Sequence, residues 1–264
     1  VTPGGYRLAL DRIVRPLLVR MIVIVSRILA QQPDRAAARV EITEKILPLI
    51  RAARVSAHDT AITFLTAQLV AQGGTGEAYH PPIVDYPEKA ARALVDDALS
   101  AQEKRESTDA SVVEQIGSRT VRHVEQAARE TITRSVEDTP KDPHQRQPVA
   151  WARQLTGTDN CAFCVMLTSR GAIYPSQRVA QFNGSELDAY HDRCDCIAVP
   201  VYNRAVWPGW AEATRLRDLW NEATKTHSGG NAINALRREL ARMRRDGETI
   251  APNIRGAETA TPGT

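Results

Sequence analysis

The chain has 264 residues and a formal net charge of +3, and it is 42% hydrophobic and 25% charged. That is enough apolar mass for one large core or two modest ones, and too little charge to mark a nucleic-acid binder on composition alone. Aromatic residues make up only 5%, so Ala, Val, Leu and Ile must fill the core, which favours closely packed helices and predicts a mainly α fold. The most apolar run, Leu17 to Leu29, is broken by Arg20 and Arg27 and falls short of the roughly 20 apolar residues that span a bilayer. Arg20 also argues against a signal peptide. The expectation is no membrane partner and a reducing cytoplasm, where disulfides are disfavoured.

In chain order, residues 5–31 predict a helix, with Leu10, Ile13, Val14, Leu17, Leu18, Met21, Ile24, Val25 and Ile28 at helical spacing. Pro16 is expected to kink or restart it. Its apolar face is broad enough to pack on a core or to dock on a partner. Asp34 caps a second helical stretch over 35–72, which Pro48 is expected to interrupt and Gly73-Gly74 to stop. Residues 73–86 read as a loop. Pro87 opens a third helix to Arg105, and Asp109 caps a fourth to Val136. His58, His80 and His123 stand alone and read as surface or internally bonded histidines. The polar, proline-rich run from Asp138 to Pro148 is the best domain boundary in the chain. Trp151 to Leu155 then reads as a short helix, Ala172 to Pro175 as a short strand, Gln177 to Tyr190 as a loop or short helix, and Cys196 to Tyr202 as a strand. Helices resume at 210–225 and 231–245, separated by Gly229-Gly230. The division is thus a helical leader (1–137), a linker (138–149), a small cysteine-bearing α+β domain (150–210), C-terminal helices (211–247) and a disordered tail (248–264).

All four cysteines fall between Cys161 and Cys196. Cys161-Ala-Phe-Cys164 is one chelating arm, and His191-Asp-Arg-Cys194-Asp-Cys196 is a second. Two such arms supply the soft N and S ligands of a tetrahedral structural Zn2+, with Cys161, Cys164, His191, Cys194 and Cys196 as candidates for its places. Paired disulfides and plain thiols are the alternatives. The apolar core of 150–202 looks thin, and a thiolate-rich zinc site would contribute about 10 kcal/mol to folding such a unit.

Catalytic signatures are absent: there is no Gly-x-Ser-x-Gly, no His-Glu-x-x-His and no phosphate loop. A cysteine nucleophile (Cys161 or Cys164 with His191) or a serine one (Ser169 or Ser176 with His191 and Asp192) has no sequence signature either. Near the end, Arg237, Arg238, Arg242, Arg244 and Arg245 crowd one predicted helix, with Leu236, Leu240 and Met243 on its other side. That is a solvated basic face or a surface for sequence-blind phosphate contact.

Trp151-Ala-Arg, Cys161-Ala-Phe-Cys164, Gly171-Ala-Ile-Tyr174, Tyr190-His191-Asp-Arg-Cys194-Asp-Cys196 and Val199-Pro-Val, in this order, resemble the phage Mu F-like minor head protein domain, in the form carried by phages of actinobacteria. Many family members have His-Pro in the second arm where this chain has His191-Asp192. Over 1–140 the likeness rests on a helical leader of suitable length. The resemblance implies a small α+β domain stabilised by zinc. It also implies a minor capsid component made in the host cytoplasm and housed in the virion head, with the portal protein, other head proteins and packaged DNA as partners. Relatives are often labelled capsid maturation protease; the residues here supply no motif for that activity, which stands as the alternative. A zinc-containing DNA-binding regulator is a second alternative, and the distance between the basic cluster and the cysteines speaks against it.

Overall fold

In the computed structural model, residues 1–105, 108–157, 160–173 and 196–254 are described. The leader forms four helices: α1 (Pro3–Gln31), α2 (Arg35–Ala71), α3 (Glu88–Arg105) and α4 (Asp109–Glu137). Helix α1 packs against both α2 and α4, and α3 closes against the same pair. The apolar stripe read from sequence is the stripe that is buried: Leu10, Val14, Leu17, Met21, Val25 and Ile28 face Ile42, Ile46, Ile50, Phe64, Leu65 and the α4 core. Tyr6 stacks on Phe64 with ring centroids 4.2 Å apart. A charged cluster sits within this core. Arg7 pairs with Asp11 and Glu125, and Arg129 with Glu125, each at 2.7 Å and each nearly excluded from solvent. The three histidines of this region are internally bonded: His58 to Thr131, His80 to Thr66, and buried His123 to the Tyr86 hydroxyl at 2.6 Å.

Neither proline divides its helix. Pro16 and Pro48 lie inside continuous α1 and α2. The carbonyls they leave without an i+4 donor belong to Arg12 and Glu44, and these four residues are all exposed. Water can satisfy both carbonyls, so the cost of each missing bond is small beside the buried faces of 29- and 37-residue helices. The cap of α4 also differs from expectation. Thr108 accepts from the Ser111 amide, while Asp109 sits in the first turn and pairs with Arg35 at 2.8 Å.

The predicted loop 73–86 and linker 138–149 are joined by a two-residue parallel pairing of β1 (Glu77–Ala78) with β2 (Gln145–Arg146). The Gln147 side-chain amide donates to the carbonyls of Ser135 and Asp138, folding the linker back on the end of α4. Trp151 to Leu155, expected as a helix, is instead β3 (Ala150–Leu155), antiparallel to β4 (Cys196–Val201). Every residue of both strands is buried. One side of the pair belongs to the leader: Trp151, Ile197, Ala198 and Val199 join the helical core. Gln72, the last residue after α2, bonds to β4 and the turn beyond. Its amide nitrogen donates to Pro200 O at 2.9 Å, and its amide oxygen accepts from the backbones of Tyr202 and Asn203.

Beyond the strands lie α5 (Ala162–Ser169), α6 (Trp210–Thr224) and α7 (Gly229–Arg245). Gly229-Gly230 begins α7 rather than preceding it. Leu216 of α6 and Leu236, Leu240 and Met243 of α7 close over Leu155, Val165 and Leu167. The cysteine unit is therefore less thin than its own residues suggest, because the C-terminal helices complete its core. Ile250 and Ala251, within the expected disordered tail, pack into the same core. Ala172 and Ile173 are not in a strand, and the stretch Gln177–Tyr190 lies outside the described residues.

Candidate functional site

The first chelating arm follows directly from β3. After Leu155 the chain turns, and Cys161 becomes the N-cap of α5, its sulfur accepting the Cys164 amide at 3.3 Å. An N-cap has extended backbone and a side chain that points back at the first turn; here sulfur takes the place usually held by Ser or Asp. Cys164, one turn in, is buried against the apolar cluster. Cys196 opens β4 and sits opposite Leu155 in the strand register. The side chains of Cys161, Cys164 and Cys196 therefore belong to one core, although 35 positions separate the first from the last. His191 and Cys194 lie outside the described residues. Among the described residues no group of three or more His, Cys, Asp or Glu side chains is close enough to hold a metal ion.

Two interactions around the cysteines have no counterpart in the sequence reading. Arg153, 1% exposed, projects from β3 and donates from Nη1 to Cys196 Sγ at 3.4 Å. Its guanidinium lies 5.9 Å from the centre of the Trp151 ring. Asn160, the residue before Cys161, donates to Gly157 O at 2.8 Å and accepts on its own backbone carbonyl from Arg244 at 2.6 Å. The first exists only once β3 pairs with β4, and β3, buried on both faces, carries no local signal of it. The second joins residues 84 positions apart and leaves no local trace.

Of the basic cluster, Arg237, Arg238, Arg242, Arg244 and Arg245 are all exposed on α7, as its periodicity predicts. They are not equivalent. Arg242 is held by Glu239, Asp246 and Glu248 at 2.7–2.8 Å. Arg237 donates to Asn234, and Arg244 braces the cysteine loop. Ser169, a candidate nucleophile, is buried and donates its hydroxyl to Met166 O at 2.7 Å. Ser176 and Asp192 lie outside the described residues.

A family model described as VG15 protein matches residues 5–223. The chain belongs to the VG15 protein family. The VG15 match takes in the leader, both strands, the cysteines and α6, and it ends before α7 and the basic cluster. Two curated relatives are gene 15 proteins of mycobacteriophages. The chain is 33% identical over 167 residues to that of phage L5, covering 46% of this chain and 56% of the relative. It is 32% identical over 160 residues to that of phage D29, covering 47% and 57%. The chain thus spans little more than half the length of either. No solved structure matches. Among the described residues no helix is long and apolar enough to cross a membrane.

Proposed function

We propose that this VG15 chain is a minor head protein of the Mu F-like kind, held in the virion head by its helical leader, with the portal protein as the main partner. The observation that carries the reading is an apolar groove of about 490 Å³ on the leader, between α1 and α4, lined by Leu18, Ile22, Val113 and Val121. Val19, Ile22 and Val23 are 63%, 43% and 61% exposed on α1, whose opposite face is already buried in the bundle. Solvent-facing apolar residues grouped beside a groove are a docking surface for another protein. The mycobacteriophage origin of the relatives supports a place in a phage particle.

The test is a variant that alters the surface and not the bundle. Val19→Glu with Ile22→Glu should keep the helical content and melting behaviour of the wild-type protein, lose co-purification with the portal protein, and be missing from assembled heads. Normal copy number of the double variant in heads would overturn the reading.

A structural Zn2+ is part of the same proposal, with Cys161, Cys164 and His191 as ligands and Cys194 or Cys196 completing the set. The donors are soft, and Cys161 already accepts an amide N–H as ligand sulfurs do. When bound, the metal would supply folding free energy to the unit around α5. Contact with packaged DNA falls to the part of α7 that is not neutralised by neighbouring carboxylates, Arg237, Arg238 and Arg245, and would be sequence-blind and weakened by salt.

A further inference from the structure

A second cleft, of about 450 Å³, opens between the C-terminal end of α5, the turn after β4 and α6. Three of the four tryptophans in the chain line it, Trp207, Trp210 and Trp220, together with Arg170, Arg204 and Arg217. Among the described residues that line it there is no carboxylate. Trp207 is 4% exposed and forms the floor, and Trp210 is 52% exposed and forms a wall.

The local backbone fixes this arrangement. Gly209 caps α6 at φ +94°, and a Cβ there would lie 2.9 Å from Trp207 Cζ3, so the indole is laid directly against the glycine. Gly171 ends α5 at φ +68° and lets the chain turn beside the cleft. Arg217 Nε donates to Ser169 O at 3.4 Å, which aims the guanidinium at the end of α5. The volume lies in the range of small-ligand sites.

Flat aromatic faces next to guanidinium groups suit a ligand with a planar apolar body and negative charge. An acidic peptide has that charge. However, extended peptides draw much of their affinity from main-chain bonds to a strand edge, and the walls here are two helices and a turn. A nucleotide needs no such ladder: the base stacks on an indole and the phosphate meets arginine. We propose that this cleft binds a nucleotide unit, base on Trp210 and phosphate on Arg204 and Arg217. The unit can be a free nucleotide or an unpaired nucleotide of a strand.

The experiment uses the full chain and four probes: dTMP, a labelled ten-residue oligo(dT), a duplex of the same length, and an acidic, leucine-bearing peptide. Tryptophan quenching reports dTMP, and anisotropy reports the two DNA probes. Saturable binding of dTMP, or of oligo(dT) in preference to the duplex, is expected, and the comparison tells a free nucleotide from a strand. Trp210→Ala should weaken it by about tenfold or more, as loss of one base–aromatic stack does. Arg204→Gln, on an exposed side chain that leaves the fold intact, should weaken it and flatten its salt dependence. Arg237→Gln with Arg238→Gln, which weakens the contact of α7 with either DNA probe, should leave the quenching by dTMP unchanged, which separates this cleft from the α7 surface. The proposal is overturned by no binding of dTMP or oligo(dT), by binding indifferent to Trp210→Ala and Arg204→Gln, by preference for the duplex that persists with Arg237→Gln and Arg238→Gln, or by tighter binding of an acidic, leucine-bearing peptide.

Discussion

Arg153 and Cys196 meet across the β3–β4 pair, Nη1 to Sγ at 3.4 Å, in a place from which water is excluded. A guanidinium is rarely buried without charge-bearing or strongly accepting partners. Cys196→Ala should therefore cost about 1–3 kcal/mol, the usual penalty for taking one acceptor from a buried donor. Cys196→Ser, which restores an acceptor, should recover part of that. Arg153→Met should fall in the same range. Urea unfolding of the three variants, followed by circular dichroism, checks the order.

The metal reading predicts about one Zn2+ per chain in protein prepared without chelator, lost in Cys161→Ser and Cys164→Ser. Cys194→Ser and Cys196→Ser, assayed separately, identify the fourth ligand. A strong chelator should loosen the α5–α6–α7 core more than the leader, because metal binding and folding of that unit are one free energy. Protein that is well folded, free of metal, and sensitive to reductant would replace this reading with disulfides.

Glu212 gives a pH signature. Burial pushes its carboxyl up to about 7, against the opposing pull of Arg215 and of hydrogen bonds from Gln154 and the Leu155 backbone. The folded state then holds a proton that the unfolded chain, near 4.5, has already released. The contribution of Glu212 to stability is highest below that value, falls as pH rises towards 7, and is flat above, a loss of up to about 3 kcal/mol. Glu212→Gln should remove the slope and raise stability at pH 8, measured as the urea midpoint across pH 4–8.

The cluster of Arg7 and Arg129 on Glu125 behaves in the opposite way. Burial opposes the charge on Glu125, but Arg129 and Arg7 outweigh it and hold the carboxyl below its ordinary range. Its stabilisation is present above the unfolded value and is lost as pH falls through the lowered one. Glu125→Gln should cost about 3–5 kcal/mol by removing a carboxylate that two buried guanidiniums share, Arg7 keeping its pair with Asp11, and should lower the melting temperature of the whole chain.

The helices of the leader were legible because a three-to-four stripe is a local signal, and Leu10 through Ile28 read the same in sequence and in space. The prolines misled because their cost depends on whether the carbonyls of Arg12 and Glu44 reach water, which spacing alone does not disclose. Ala150–Leu155 misled for the opposite reason. A strand buried on both faces shows no alternation, and its partner β4 begins beyond residue 195. The cysteine arms were visible as spacing, yet the Arg153 and Arg244 contacts around them are products of pairing and helix packing. The neutralisation of Arg242 could have been read earlier, since Glu239 and Asp246 stand at i−3 and i+4. The tryptophan cleft was also announced, faintly, by the crowding of Trp207, Trp210 and Trp220 into one short stretch.

Helix α2 is 37 residues long, which at 1.5 Å per residue is about 55 Å from end to end. A compact sphere of this chain length would be only about 47 Å across, from a radius of gyration near 18 Å. One helix therefore outruns the diameter a globule of this mass would have and acts as its strut. The molecule has a long axis fixed by covalent geometry, with Asp34 at one pole and the Gln72 clasp on β4 at the other. Any symmetric neighbour must seat this protein lengthwise or crosswise. Sedimentation should show it as a slower, more elongated particle than its mass alone dictates.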